Sequence, residues 1–143
     1  MSPKKLNHTT WDCKYHIVFI PKRRRKVIYG SLRIRLGVLF RELAEQRGVE
    51  ILEGHLLPDH VHMCMSIPPK HPVSGVVGFM KGKSAIAIAR QFMGKRRNYS
   101  GESFWAHGYY VSTVGLDEGV VRAYIRNQEI EDERIEQLNL PMS

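Results

Sequence analysis

His60-Val61-His62 sets two imidazoles two residues apart inside Asp59-His60-Val61-His62-Met63-Cys64-Met65-Ser66, a run that alternates polar and apolar residues. Such alternation is the period of a half-buried strand. Side chains at i and i+2 of a strand share a face, so His60 and His62 point one way and Val61, Met63 and Met65 point into a core. Two imidazole nitrogens on one face can serve one divalent cation, with a third ligand and open positions supplied from elsewhere. Cys64 shares the histidines' parity and is either that ligand or a small buried filler. Because the chain holds seven histidines, the spacing also fits a strand face that merely carries imidazoles.

A second constellation lies far downstream. Val120-Val121-Arg122-Ala123-Tyr124-Ile125-Arg126-Asn127-Gln128 reads as helix, and Tyr124 and Gln128, four apart, share one of its faces. A phenol attacks phosphorus when a metal polarises the phosphate and the phenolate can form. Its ordinary pKa is about 10, so a nearby cation or base is required. The Gln128 amide oxygen would serve as a further ligand. Spacing by itself favours a plainer arrangement, with Tyr124 packed on Val120 and Val121 and Gln128 in water.

The elements that must position these groups follow from the pattern. Lys14 to Ile20 is rich in β-branched and aromatic residues and ends at Pro21, a first strand. Five consecutive cations follow, Lys22, Arg23, Arg24, Arg25 and Lys26; like charges so placed repel unless an anion lies against them, which points to phosphate contact. Leu32, Leu36, Leu39, Phe40 and Leu43 form the stripe of an amphipathic helix, with Ser31 as N-cap and Gly48 as stop. Val49 to Leu57 is a second strand, joined to the histidine strand by a Pro58-Asp59 turn, and Pro68-Pro69 ends the hairpin. A second helix spans Val73 to Met93 and a basic loop, Lys95-Arg96-Arg97, follows. Phe104-Trp105 and Tyr109-Tyr110-Val111 mark a fourth strand broken near Gly108. A last helix runs from about Asp117 towards Leu138. Residues 1–12 read as a flexible arm.

The predicted order is thus that of a ferredoxin-like βαββαβ sandwich, an α+β fold with an antiparallel sheet, plus a C-terminal helix. The third strand is central in such a sheet, so both histidines sit mid-sheet on one open face. Gly82-Lys83-Ser84 invites a nucleotide-binding reading, which fails. A phosphate loop needs a glycine five positions before Gly82, where Val77 stands, and the triplet lies inside a helical pattern. Lys81 and Lys83 are expected to face a phosphate backbone or solvent, and no nucleotide cofactor is expected.

At 143 residues the chain has the length of one domain with a real core. Its 22 Lys+Arg against 14 Asp+Glu give a net charge of +8. The excess is concentrated: residues 1–128 hold 21 basic and 9 acidic side chains, residues 129–143 hold 1 and 5. So basic a body points to a polyanionic partner, nucleic acid before membrane. No apolar run is long enough for a membrane span, the N-terminus lacks the apolar stretch of a signal peptide, and two cysteines make no disulfide framework. A cytoplasmic, nucleoid-associated protein is the expectation.

His60-Val61-His62 also resembles the HUH motif of single-strand DNA endonucleases, and the chain as a whole is similar to the single-tyrosine TnpA transposases of the smallest insertion sequences. Several segments carry the resemblance in the family's order: Cys13-Lys14-Tyr15-His16-Ile17-Val18-Phe19 with Pro21-Lys22; Pro58-Asp59-His60-Val61-His62-Met63; Ile67-Pro68-Pro69-Lys70; Met80-Lys81-Gly82-Lys83-Ser84; Phe104-Trp105; Gly108 to Gly115; and Tyr124-Ile125-Arg126-Asn127-Gln128. They span roughly residues 11 to 130. The resemblance implies that His60, His62 and Gln128 hold magnesium or manganese, and that Tyr124 attacks the scissile phosphate to leave a 5′-phosphotyrosine and a free 3′-hydroxyl. It implies a homodimer whose tyrosine helix acts in trans, and single-stranded DNA folded into imperfect hairpins as substrate. Lys22 to Lys26, Lys81 and Lys83 are the candidates for backbone contact. Arg23 stands where the family often carries an aromatic, which weakens any base stacking there and strengthens the cationic role.

Three other readings meet part of these observations. A domesticated relative would cut genomic hairpin repeats with the same residues. A non-catalytic binding module on a ferredoxin-like sheet would account for charge and fold but not for His60, His62, Tyr124 and Gln128 together. A metal-dependent hydrolase would use water in place of Tyr124.

Overall fold

A computed structural model of the chain describes residues 4–6, 9–92, 104–113 and 118–138. Lys95-Arg96-Arg97, the expected helix start at Asp117 and the side chains of Val120 and Val121 lie outside the described residues. Two short strands, β1 (Lys4–Leu6) and β2 (Thr9–Trp11), pair antiparallel with Lys4 opposite Trp11, so part of the expected flexible arm is a ladder. Then come β3 (Lys14–Phe19), α1 (Gly30–Gln46), β4 (Glu50–Leu57), β5 (His60–Ser66), α2 (Val73–Phe92), β6 (Tyr110–Ser112) and α3 (Glu118–Leu138).

The main sheet has the order β4-β5-β3-β6, antiparallel throughout, which is the ferredoxin-like arrangement the pattern predicts. Strand β5 is interior, flanked by β4 and β3. Val61, Met63 and Met65 are buried with Ile17 and Phe19 of β3 against Leu36, Phe40 and Leu43 of α1 and Val77, Met80 and Ile88 of α2. Phe19 meets Phe40 and Trp105 edge-on, at centroid distances of 6.0 and 4.8 Å. Gly82-Lys83-Ser84 lies inside α2; Ser84 is fully buried and accepts the Trp105 indole N–H at 3.0 Å.

The opposite face carries a smaller cluster, Val18, Ile20, Ala106 and Ile125, with Tyr110 and Tyr124 packed on it. Val18 lies directly across from His62 and from Tyr110. Helix α3 therefore rests on the face that carries the histidines.

Two local expectations are corrected. Ser31 is not the N-cap of α1: Gly30, at φ 59°, already opens the helix, and Tyr29 before it gives no side-chain cap. Nor does the fourth strand run through Phe104-Trp105, where a single bridge joins Trp105 to Pro21 and the ladder begins only at Tyr110. Gly48, at φ 66°, does follow the end of α1, in the left-handed region that glycine reaches without strain. Among the described residues no helix is long and apolar enough to cross a membrane.

Candidate active site

His60 opens β5 beside the tight turn at Pro58-Asp59. Its Nδ1 lies 2.9 Å from Asp59 Oδ1. A carboxylate on Nδ1 fixes the proton there and leaves the Nε2 lone pair for a metal, the usual arrangement behind a ligating histidine. Asp59 is itself held, its Oδ2 3.5 Å from Arg24 Nε, and Arg24 Nε lies 3.4 Å from Glu129 Oε2 of α3.

His62 stands at the centre of a row of imidazoles. Its ring centroid is 5.6 Å from that of His55 on β4 and 5.9 Å from that of His16 on β3. Burial, followed by His55, His16 and His60, pulls its pKa below the ordinary value, with Glu53 opposing. That direction favours the neutral imidazole, the form that ligates metal. Glu53 Oε1 lies 2.7 Å from His55 Nε2, and that hydrogen bond holds the Glu53 carboxyl below its usual range. Burial, then Glu53, pushes the Cys64 thiol up, which favours the protonated filler over the ligand. No three His, Cys, Asp or Glu residues converge on one metal position among the described residues. A divalent ion held by His60 and His62 would need a further donor, and the expected one is the Gln128 amide oxygen.

That amide is positioned by a device the sequence did not reveal. Lys81 Nζ donates to the carbonyl oxygens of Ala106 and Gly108, each at 2.7 Å. Between them, the His107 carbonyl accepts from Gln128 Nε2. Gly108 turns at φ 81°, and a Cβ there would lie 3.6 Å from Gln128 Nε2. Lys81 thus braces the segment that seats Gln128 through its amide nitrogen, and the amide oxygen has no hydrogen bond among the described residues. The expectation that Lys81 faces a phosphate or solvent is corrected: the half-buried ammonium is turned onto two main-chain carbonyls, and burial pulls it down to about 8 against the opposing charge of Asp132. A mid-helix lysine four residues from the next apolar position carries no signal for this role.

Tyr124 packs beside Tyr110, ring centroids 6.0 Å apart. Its hydroxyl is buried without a hydrogen-bond partner. Burial, then the charge of Asp132, pushes its pKa far above that of a free phenol. Within one chain, then, the structure brings His60 and His62 together and lays the Tyr124–Gln128 helix on their face. It joins neither Tyr124 nor Gln128 to the imidazoles by a hydrogen bond among the described residues.

The basic run divides. Arg23 and Arg24 both adopt left-handed backbone, φ 61° and 52°, which is strained for residues with a Cβ. The turn is secured by Arg24 N–H to Pro21 O at 2.9 Å and by Arg23 N–H to Asp132 Oδ2 at 2.9 Å. Asp132 is buried, one turn beyond Gln128, and the i, i+4 spacing 124, 128, 132 was the unread signal for it. Arg24 is committed to Asp59 and Glu129, a correction to its expected role as an open phosphate contact. Arg23, Arg25, Lys26 and Lys83 are exposed and Lys22 half-buried.

A family model for IS200-like transposases matches residues 9–128. The chain is 46% identical over 138 residues to the transposase for insertion sequence element IS200 of Salmonella typhimurium, spanning 96% of this chain and 91% of that one. It is 27% identical over 126 residues to the ISDra2 transposase TnpA of Deinococcus radiodurans, spanning 87% and 90%. A crystal structure from Deinococcus radiodurans assigned as a transposase superposes with a TM-score of 0.75 at 26% identity, covering 87% of this chain and 97% of that one. A REP-associated tyrosine transposase bound to a REP hairpin superposes at 0.56 with 15% identity, over 94% and 74%, a likeness of fold.

Proposed function

The chain belongs to the IS200-like transposases, and we propose that it cuts and rejoins single-stranded DNA at insertion-sequence ends through a 5′-phosphotyrosine, guided by hairpins near those ends. The observation that carries the reading is the seating of His60 by Asp59 on the face shared with His62 and covered by the Tyr124 helix. His60 Nε2, His62 and the Gln128 amide oxygen would hold magnesium or manganese. Bound there, the ion supplies positive charge to the non-bridging oxygens of the scissile phosphate.

The Tyr124 oxygen forms a bond to phosphorus, the bond from phosphorus to the 3′ oxygen breaks, and that oxygen leaves as a 3′-hydroxyl after taking a proton. Rejoining reverses these changes, and the phosphotyrosine conserves the bond energy, so no nucleotide cofactor is required. Tyr124 cannot ionise readily where it lies: it is buried, unpartnered and near the carboxylate of Asp132. Its helix must carry it to a phosphate held by histidines. A homodimer in which each tyrosine helix completes the partner's site meets that need, and the single-chain arrangement is then the resting one. The hairpin bound by the REP-associated relative supports hairpin DNA as the substrate.

The test incubates a labelled hairpin oligonucleotide from the element's own end with protein and magnesium, then resolves the mixture on a denaturing protein gel. A shifted band that disappears with chelator and with Tyr124→Phe establishes the tyrosine mechanism. Cleaved DNA without the band assigns a hydrolase, and binding without cleavage leaves a binding module.

A further inference from the structure

Beside His60 lies a cleft of about 320 Å³, walled by Arg24, Asp59, His60, Arg122, Ile125 and Arg126. Three of its six lining residues are arginines. Arg24 is shared between Asp59 and Glu129, and Asp59 is taken up by Arg24 and His60. Arg122 and Arg126 are different: both are exposed, and neither has a carboxylate partner among the described residues. They stand one helical turn apart on α3 and line one cavity, where like charges repel unless an anion lies between them.

From this geometry we infer that the cleft grips the phosphodiester adjacent to the scissile one on the same DNA strand, with Arg122 and Arg126 as the binding pair and Arg24 as a fixed wall. Arginine suits the task, because its planar fork meets two phosphate oxygens at once. His60 belongs both to this wall and to the proposed metal-binding pair, so with α3 seated on a histidine face, its own or a second copy's, an anion in the cleft is next along the strand from one held by those histidines. Ile125 gives the cleft an apolar side. A contact of the arginine pair to backbone phosphate holds whatever the sequence of the cleavage site. Neither arginine belongs to the basic run or to α2. The inference rests on the proposed strand-transfer reading for the identity of the neighbouring phosphate.

The experiment measures binding, not cleavage, in a Tyr124→Phe background with a single-stranded oligonucleotide that spans the cleavage site. Arg122→Gln with Arg126→Gln should leave the melting temperature unchanged, since both side chains are exposed. Affinity should fall about tenfold, and the slope of log K against log salt should shrink by about 0.7, the share of one single-strand phosphate. Uncharged methylphosphonate linkages are then placed singly along the strand. At one position beside the scissile linkage, the arginine-bearing protein should drop to the affinity of the double variant, and the double variant should lose nothing more. Equal binding by both proteins overturns the proposal, and so do losses that add at every position. Displacement by inorganic phosphate at constant ionic strength, with no dependence on linkage position, would make the cleft a free-anion site and also overturn it. Failure of the covalent-band test would leave these binding outcomes legible, so the two readings fail separately.

Discussion

Tyr124→Phe should make the protein more stable while it abolishes covalent capture of DNA. The hydroxyl is buried and has no hydrogen-bond partner among the described residues, whereas the ring packs beside Tyr110 and against the cluster of Val18, Ile20, Ala106 and Ile125. Phenylalanine keeps the ring contacts and removes the unpaired oxygen. An unsatisfied buried hydroxyl costs roughly 1–3 kcal/mol, and Tyr124 is partly exposed elsewhere, so a gain of about 1 kcal/mol is expected. For a chain of this length that raises the melting temperature by about 3 °C. The pH dependence gives a second, independent readout. Burial and Asp132 raise the phenol's pKa in the folded chain, so the folded state keeps the proton after the unfolded chain begins to lose it near pH 10. The stability contributed by the neutral phenol is complete below about pH 10 and declines above it, by at most ~1.4 kcal/mol per pH unit. Phenylalanine suffers no such decline, so the gap between the two proteins should widen above pH 10. Thermal melts at pH 8 and pH 10.5 measure both effects. A Phe variant less stable at pH 8, or a gap that stays constant, would refute the picture of a buried, idle hydroxyl.

Lys81→Met should cost roughly 2 kcal/mol in chemical denaturation, since the Ala106 and Gly108 carbonyls lose a charged donor. With a folded pKa of about 8 against an ordinary 10.5, Lys81 should also make stability rise as pH climbs from 8 towards 10.5, a slope absent from the Met variant. His60→Ala and His62→Ala should each abolish metal-dependent cleavage and leave hairpin affinity within a few-fold, as measured by gel cleavage beside a binding titration. Arg25→Ala with Lys26→Ala, both exposed, should flatten the salt dependence of DNA binding by about 0.7–0.9 per phosphate released. Arg24→Ala should instead lower the melting temperature, because it leaves Asp59 and Glu129 facing each other without their shared cation.

The parts of the fold that are periodic were legible. Alternation about His60 and His62 placed Val61, Met63 and Met65 in the core, and the order of strands and helices led to the ferredoxin-like sheet with β5 inside. What could not be read were contacts between residues remote in sequence. Nothing in a run of five cations distinguishes Arg24, drawn into two carboxylates, from Arg25, open to water. Lys81 is a helical lysine like Lys83 until the segment around Gly108 folds back over it. Arg122 and Arg126 stand inside the Tyr124 motif, yet only the cleft beside His60 gives them a common purpose. Asp132 lies in the acidic stretch after residue 128, whose composition gives no sign that one carboxylate is buried and bonded to the main chain of the basic turn.

That position of Asp132 bears on how the tyrosine is controlled. One carboxylate secures the strained turn at Arg23, favours the charge on Lys81 and disfavours ionisation of Tyr124. On the proposed mechanism, docking α3 on its own sheet would therefore stabilise the helix and hold back ionisation of Tyr124 through the same group. The anchors are polar and peripheral, Arg23 to Asp132, Arg24 to Glu129 and Gln128 to His107, set about a small apolar cluster. Helices α1 and α2 instead share the large core on the other face. In the proposed homodimer, moving α3 onto a second copy would leave that core intact and exchange contacts that the identical surface could restore. On the proposed mechanism, release from Asp132 is what frees the phenol to ionise. Asp132→Asn should keep an acceptor for the Arg23 N–H while removing the charge. Covalent capture should then begin at lower pH than in the parent protein, and an unchanged pH profile would separate docking from control of the nucleophile.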